Sequence, residues 1–285
     1  MNTLTNTQNN DSVRRLVREG YAKIAGENNT GCCGTGVSCC GSTPQEADKL
    51  ARELGYTVEE LQALPEGANM GLSCGNPAAL AALKPGETVV DLGAGGGFDV
   101  FIAGRKVGAT GRAIGVDMTP EMLAKARDNI AHYRKETGLD NTEFRLGEIE
   151  HLPVADNSVD VIISNCVINL SPDKPQVWRE MARVLKPGGR VAVSDMALLK
   201  PLPAEVIKLV EARIGCVAGA VLVSETGEMA KAAGLTDVVL KPKAGYVEAL
   251  TDWEDPLYKK LIELIPSGTK PADYIASVEV TARKP

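Results

Sequence analysis

The chain has 285 residues, with 31 basic and 37 acidic side chains and a formal net charge of −6. That balance argues against a nucleic-acid binder, which needs clustered Lys and Arg to neutralise phosphates. Hydrophobic residues make up 44% and charged residues 24%, ordinary values for a globular protein. No apolar stretch reaches the roughly 20 residues of a membrane-spanning helix, and the first thirty residues lack a signal-peptide core, so a cytoplasmic protein is expected. There are seven cysteines and two histidines, His132 and His151. An odd cysteine count in a long chain from a reducing compartment is no disulfide scaffold. The scarcity of histidine makes thiol chemistry a better expectation than a His-based general base.

Residues 1–12 are Asn/Thr-rich and predict a disordered tail, followed by a helix over 13–25. A Gly/Asn/Cys loop over 26–42 holds Cys32, Cys33, Cys39 and Cys40. Thr43-Pro44-Gln45-Glu46 and Thr57 to Glu60 carry the capping-box pattern and predict two short helices. From residue 87 the pattern becomes strand, loop, helix. Strands are predicted at 87–92, 112–116, 142–146, 159–164 and 190–194. Helices are predicted at 98–106, 119–137 and 173–185, the last stopped by Lys186-Pro187-Gly188-Gly189. After Pro203 come predicted helices at 204–213 and 224–233, then strands at 236–240 and 274–281. This alternation predicts an α/β fold with a doubly wound, mostly parallel, seven-stranded sheet. The expected organisation is an N-terminal tail, Cys-rich loop and helices over 1–75, a cofactor-binding core over 76–195, and a C-terminal acceptor-site region over 196–285.

The run Asp91-Leu92-Gly93-Ala94-Gly95-Gly96-Gly97 links the first strand to a helix, where glycines let a ligand approach the backbone. Phe98 stands where a dinucleotide fingerprint needs its third glycine. Asp91 offers an acceptor to a ligand ammonium, a group that S-adenosylmethionine has and NAD lacks. Asp117, at the end of the second strand, can bind two ribose hydroxyls. The DLGAGGG loop, Asp117 with Met118, the GEIEHLP run at 147–153 and the LKPGG turn at 185–189 resemble class I S-adenosylmethionine methyltransferases over about residues 76–195. The resemblance implies that the loop of Gly93, Ala94 and Gly95 faces the methionine part and that Asp117 and Met118 lie at the ribose. It also implies Glu148 and Ile149 at the adenine, with Asn165 and Val167 lining the transfer site.

Position alone puts Cys166, just past the fourth strand, near such a donor. The segments SNCVINLSPDK around Cys166, SCGNPAAL around Cys74 and GCVAGA around Cys216 resemble arsenite methyltransferases over most of the chain. The chemistry is consistent: trivalent arsenic is thiophilic, and its lone pair can attack an electrophilic methyl with no proton to remove. Cys166 and Cys216 are the first-choice arsenic ligands, with Cys74 also counted among them, and arsenite or its thiol conjugates are the acceptor. The family implies a redox pair of Cys74 with an N-terminal cysteine, reset by a thioredoxin- or glutathione-type reductant. Cys32 and Cys33 stand closest to the family pattern. The cluster of Cys32, Cys33, Cys39 and Cys40 is open to three readings: it supplies the third arsenic ligand and the resolving thiol, it is a separate metal or metalloid site, or it holds one functional thiol and three bystanders; C-C-x₅-C-C fits no common zinc spacing. A small-metabolite C- or O-methyltransferase and a non-enzymatic metalloid-binding protein are the competing readings.

Overall fold

The computed structural model describes residues 2–26, 44–203, 219–243, 247, 263–266 and 268–285. Helix α1 spans Asn2–Gly26, α2 Pro44–Glu53, α3 Val58–Gln62 and α4 Pro77–Leu80. Strand β1 (Thr88–Leu92) leads to α5 (Phe98–Val107), β2 (Arg112–Asp117), α6 (Pro120–Asp128), α7 (Ile130–Thr137) and β3 (Thr142–Leu146). The chain continues through β4 (Val159–Asn165), α8 (Lys174–Val184), β5 (Leu185–Leu198), α9 (Val223–Ala232), β6 (Thr236–Lys243) and β7 (Ile275–Arg283).

The seven strands form one sheet in the order β3-β2-β1-β4-β5-β7-β6. The first five run parallel, and β7 is antiparallel to both β5 and β6. Both faces are apolar because successive strand residues alternate between two helical layers. Val89, Ala113, Val161, Ile163 and Ala192 pack with Phe101, Val107 and Leu123 on one face. Val90, Ile114, Ile162, Val191 and Val193 pack with Trp178, Met181 and Ala230 on the other. The strand order reverses between β1 and β4. There the crevice beyond the strand ends stays open, as it does in open α/β sheets generally.

Three local expectations change. The first helix begins at Asn2, so the polar stretch read as a tail continues the helix at 13–25. The helix expected over 119–137 is interrupted at Asn129 into α6 and α7. The turn at 186–189 is absorbed into β5: Gly188 takes φ +79°, and its amide donates to the Lys284 carbonyl at 2.9 Å. Thr57 does cap α3, accepting from the Glu60 amide while the Glu60 carboxylate accepts from the Thr57 amide. The helix predicted at 204–213 and the cysteine-bearing loop at 26–42 fall outside the described residues, apart from Gly26.

Arg190 on β5 fastens the segment that carries α4 to the sheet. Its guanidinium donates to Glu87 at 2.6 and 2.9 Å and to the Ala81 carbonyl at 2.7 Å. This bidentate, charge-assisted arrangement is the strong kind. Arg190→Met is therefore expected to lower unfolding free energy by about 2–3 kcal/mol, read from a urea melt. Glu87→Gln in that background should restore part of the loss.

Candidate active site

The glycine loop is shaped by the carboxylate that ends β2. Asp117 Oδ2 accepts from the Gly95 amide at 2.9 Å and its Oδ1 from the Thr119 amide at 2.8 Å. The Gly93 and Ala94 amides both donate to the Val116 carbonyl. Gly93 has φ +69°, and a Cβ there would lie 2.5 Å from a Val167 methyl, so the close approach of loop and β4 end requires glycine.

Beyond the loop lies a cleft of about 720 Å³ of empty space, counting the part open to solvent. Gly93, Gly95, Asp117, Met118, Ile149, Asn165, Cys166 and Val167 line it. Helix α1 closes one side with Arg14, Val17 and Tyr21. Val17 is buried against Leu170, and Arg14 reaches Glu148 and Glu150 at 3.4 Å each. Ile149 thus faces the cleft as expected, whereas Glu148 pairs with Arg14 and Arg18 beside it. Ala94 is buried against the sheet rather than lining the cleft.

Asp91 is 4% exposed. Burial raises its pKa, and the neighbouring Asp99 and Asp117 raise it further. None of the described groups balances it with a positive charge or a hydrogen bond to its carboxylate. A ligand ammonium at this position would supply what Asp91 lacks, so the donor set fits an amino-acid-bearing cationic cofactor.

The thiols meet at the β4 end of the cleft. Cys166 takes φ +55°, and its amide donates to the Ser194 carbonyl at 2.9 Å. Cys74, almost wholly buried, is disulfide-bonded to Cys166 with 6.0 Å between Cα atoms. Asn165 holds the two segments together. Its Oδ1 accepts from the Cys74 amide at 3.0 Å, and its Nδ2 donates to the Gly75 carbonyl and to Asp99 Oδ2, each at 3.0 Å. Tyr56 Oη donates to Asp99 Oδ1 at 2.7 Å. Burial and the Asp99 charge push the Tyr56 hydroxyl upward, and burial raises Asp99 itself to about 6.

Asp195, within β5 and three residues before its end, completes the group. One of its carboxylate oxygens and the two sulfurs all lie within 4.8 Å of one another. Asp195 accepts from the Ile168 amide, the Met196 amide and Asn169 Nδ2 at 2.7–2.9 Å. Burial raises it to about 6 against those bonds. Tyr56, Asp99 and Asp195 escaped the reading of the sequence. The available signals were an acid two residues past the glycine loop and a Ser-Asp pair at the end of the fifth strand expected from the sequence. Cys216, Cys32, Cys33, Cys39 and Cys40 lie outside the described residues, so the expected pairing of Cys74 with an N-terminal cysteine does too.

Buried carboxyls give a stability signature. Asp91, Asp99 and Asp195 have folded pKa values above their unfolded ones. Their stabilising contribution is full below the unfolded value and is lost as pH rises through about 6 for Asp99 and Asp195. The ligand-free protein should melt at higher temperature at pH 5.5 than at pH 8. Below about pH 4 the trend should reverse as paired acids such as Glu143, held down by its hydrogen bond to Arg145, are protonated. A flat or rising melting temperature from pH 5.5 to 8 would contradict the assignment.

Comparison with known proteins places these features in a family. A methyltransferase-domain model matches residues 83–234. An arsenite methyltransferase from Halobacterium salinarum is 44% identical over 99% of this chain and 69% of its own length. One from Aquipseudomonas alcaligenes is 42% identical over 62% of this chain, but over only 51% of its own length. The solved structure of an arsenic(III) S-adenosylmethionine methyltransferase from Chlamydomonas reinhardtii superposes with a TM-score of 0.62 at 30% identity, covering 83% of this chain and 73% of that one.

Proposed function

The chain belongs to the arsenite methyltransferases, within the methyltransferase-domain family, and on that footing we propose that it transfers methyl groups to thiolate-bound trivalent arsenic. The observation that carries this reading is the meeting of buried Cys74 with Cys166, which lines the glycine-loop cleft. The methyl donor of the family, S-adenosylmethionine, supplies a methyl group made electrophilic by the adjacent sulfonium.

The chain's own residues do the rest. Asp91 accepts from the donor's ammonium, the Gly93–Gly95 loop lies along its methionine part, and Asp117 with Met118 lies at the ribose. Ile149 borders the adenine, while Asn165 and Val167 border the transfer site. Val17 and Tyr21 on α1 keep water from one side of the cleft. Reduction of the Cys74–Cys166 bond frees two sulfurs for arsenic, and Cys216 supplies another. Arsenic held as a thiolate complex keeps a lone pair, so no general base is needed and the protein's task is alignment at near-attack distance.

Each transfer leaves arsenic formally oxidised by two electrons. Two thiolates return those electrons by joining as a disulfide, and one thioredoxin-type dithiol or two glutathione-type monothiols, themselves oxidised to a disulfide, then reduce it. The Cys74–Cys166 bond is one such pair, and Cys32 or Cys33 provides a further partner for Cys74. Cys39 and Cys40 are an auxiliary thiol pair on the same segment.

The test is incubation with arsenite, S-adenosylmethionine and a thiol reductant, with methylated arsenicals as the readout. Cys166→Ser and Cys216→Ser should each lower turnover by at least about 100-fold, the scale of losing alignment. Cofactor affinity, measured by calorimetry, should stay within about threefold. Absence of methylated arsenic from the wild type would remove the reading. Undiminished methyl transfer to a carbon or oxygen acceptor by both variants would replace it with a small-metabolite methyltransferase.

A further inference from the structure

The described part of the thiol site contains one group that the proposed reaction does not use. Asp195 is 7% exposed, and three hydrogen bonds fix its carboxylate so that an oxygen faces the two sulfurs. A positive influence comes from Lys174, which also donates to the Ser171 carbonyl at 3.0 Å. A carboxylate is a hard donor and a poor rival to thiolate for arsenic. It is, however, a strong acceptor for a hydroxyl.

We propose that Asp195 recognises the hydroxyl that arsenite keeps after two sulfurs have captured it, so that the site first binds arsenic as a dithiolate hydroxide. This rests on the arsenic reading of the thiols. In the capture step two S–As bonds form and two As–O bonds break. The two thiol protons leave with the displaced hydroxyls as two waters, and no electrons change hands. The remaining As–OH donates to Asp195. An O–H···O bond needs about 2.7 Å between oxygens, and a carboxylate oxygen within 4.8 Å of both sulfurs leaves room for that hydroxyl oxygen between them. The bond holds arsenic on its first two sulfurs, with the third oxygen still in place for exchange with a further thiolate. Cys74 and Cys166, on the two segments joined by Asn165, are the capturing pair.

The acceptor's chemistry gives a selective test. Arsenite on two thiolates retains one hydroxyl, whereas phenylarsine oxide on two thiolates retains none. The experiment uses the reduced full-length chain at pH 8, where the carboxylate is ionised. It compares Cys216→Ala with Cys216→Ala/Asp195→Asn, and titrates each with both compounds. The Asp195→Asn change should weaken arsenite roughly 10- to 100-fold, the worth of one hydrogen bond to a charged acceptor. Phenylarsine oxide affinity should stay within about threefold of the parent. The phenyl compound thereby reports whether the variant is folded and its thiols are in place. Unchanged arsenite affinity overturns the proposal, and so does an equal loss for both compounds. Failure of Cys216→Ala and wild type alike to bind either compound would instead sink the arsenic reading of the thiols.

Discussion

The side-chain amide of Asn165 is the contact on which the site depends. β4 delivers it to the switch point of the sheet, where it borders the cleft and precedes Cys166. One end of the amide accepts the Cys74 amide hydrogen, and the other donates to Gly75 and Asp99. A segment 91 residues earlier in the chain is thereby registered against β4 by polar bonds in a partly buried setting, where each bond is costly to leave unmade. Ser277, whose hydroxyl donates to the Cys74 carbonyl at 2.8 Å, and the disulfide itself hold the same segment. Gly75 adds a steric condition: a Cβ there would come within 2.4 Å of Ser194 Oγ, so the loop lies flat on β5. Arg190 secures the same segment from its far end through Ala81.

Much of this could be read from the residues. The strands appear as short β-branched runs because a parallel sheet buried on both faces demands them, and β1, β2, β3 and β4 fall within a residue or two of expectation. The glycine loop, Asp91 and Asp117 were legible because a tight strand-to-helix turn leaves few alternatives to glycine. Elements governed by long-range pairing were less so. Lys186 to Gly189 carries turn chemistry and does bend the chain, yet pairing of Gly188 and Gly189 with Lys284 keeps it within β5. The polar start of α1 has no periodic apolar stripe, and its helical state follows from continuity with the turns that dock Val17. The sequence marks Cys74 and Cys166 as ligands of one arsenic but not as a disulfide pair, because their bond joins segments 92 positions apart.

The residues that escaped notice share one property. Tyr56, Asp99 and Asp195 act by where burial places a polar group, and burial is a property of the assembled sheet. Asp99 reads as an ordinary acid in a helix's first turn, where the helix dipole favours it. Only the fold reveals that Tyr56 and Asn165 occupy its two oxygens.

Taken together, the buried groups give the cleft a consistent electrical character. Asp91, Asp99 and Asp117 cluster around the glycine loop, and among the described residues no cation lowers the pKa of Asp91, a costly arrangement unless a positive ligand completes it. A sulfonium cofactor with an ammonium group would answer that demand, with Asp91 as the acceptor for its ammonium. At the sulfurs the demand differs: Asp195 adds another carboxylate beside two thiols, which opposes the presence of free thiolates. A neutral acceptor that consumes thiol protons as it binds, and offers a hydroxyl hydrogen in return, relieves that opposition. A metal cation would relieve it too, but the described donor set is two soft sulfurs and one carboxylate already held by three N–H groups. Such a set suits a small, thiophilic, hydroxylated centre better than a hard ion that requires several oxygens.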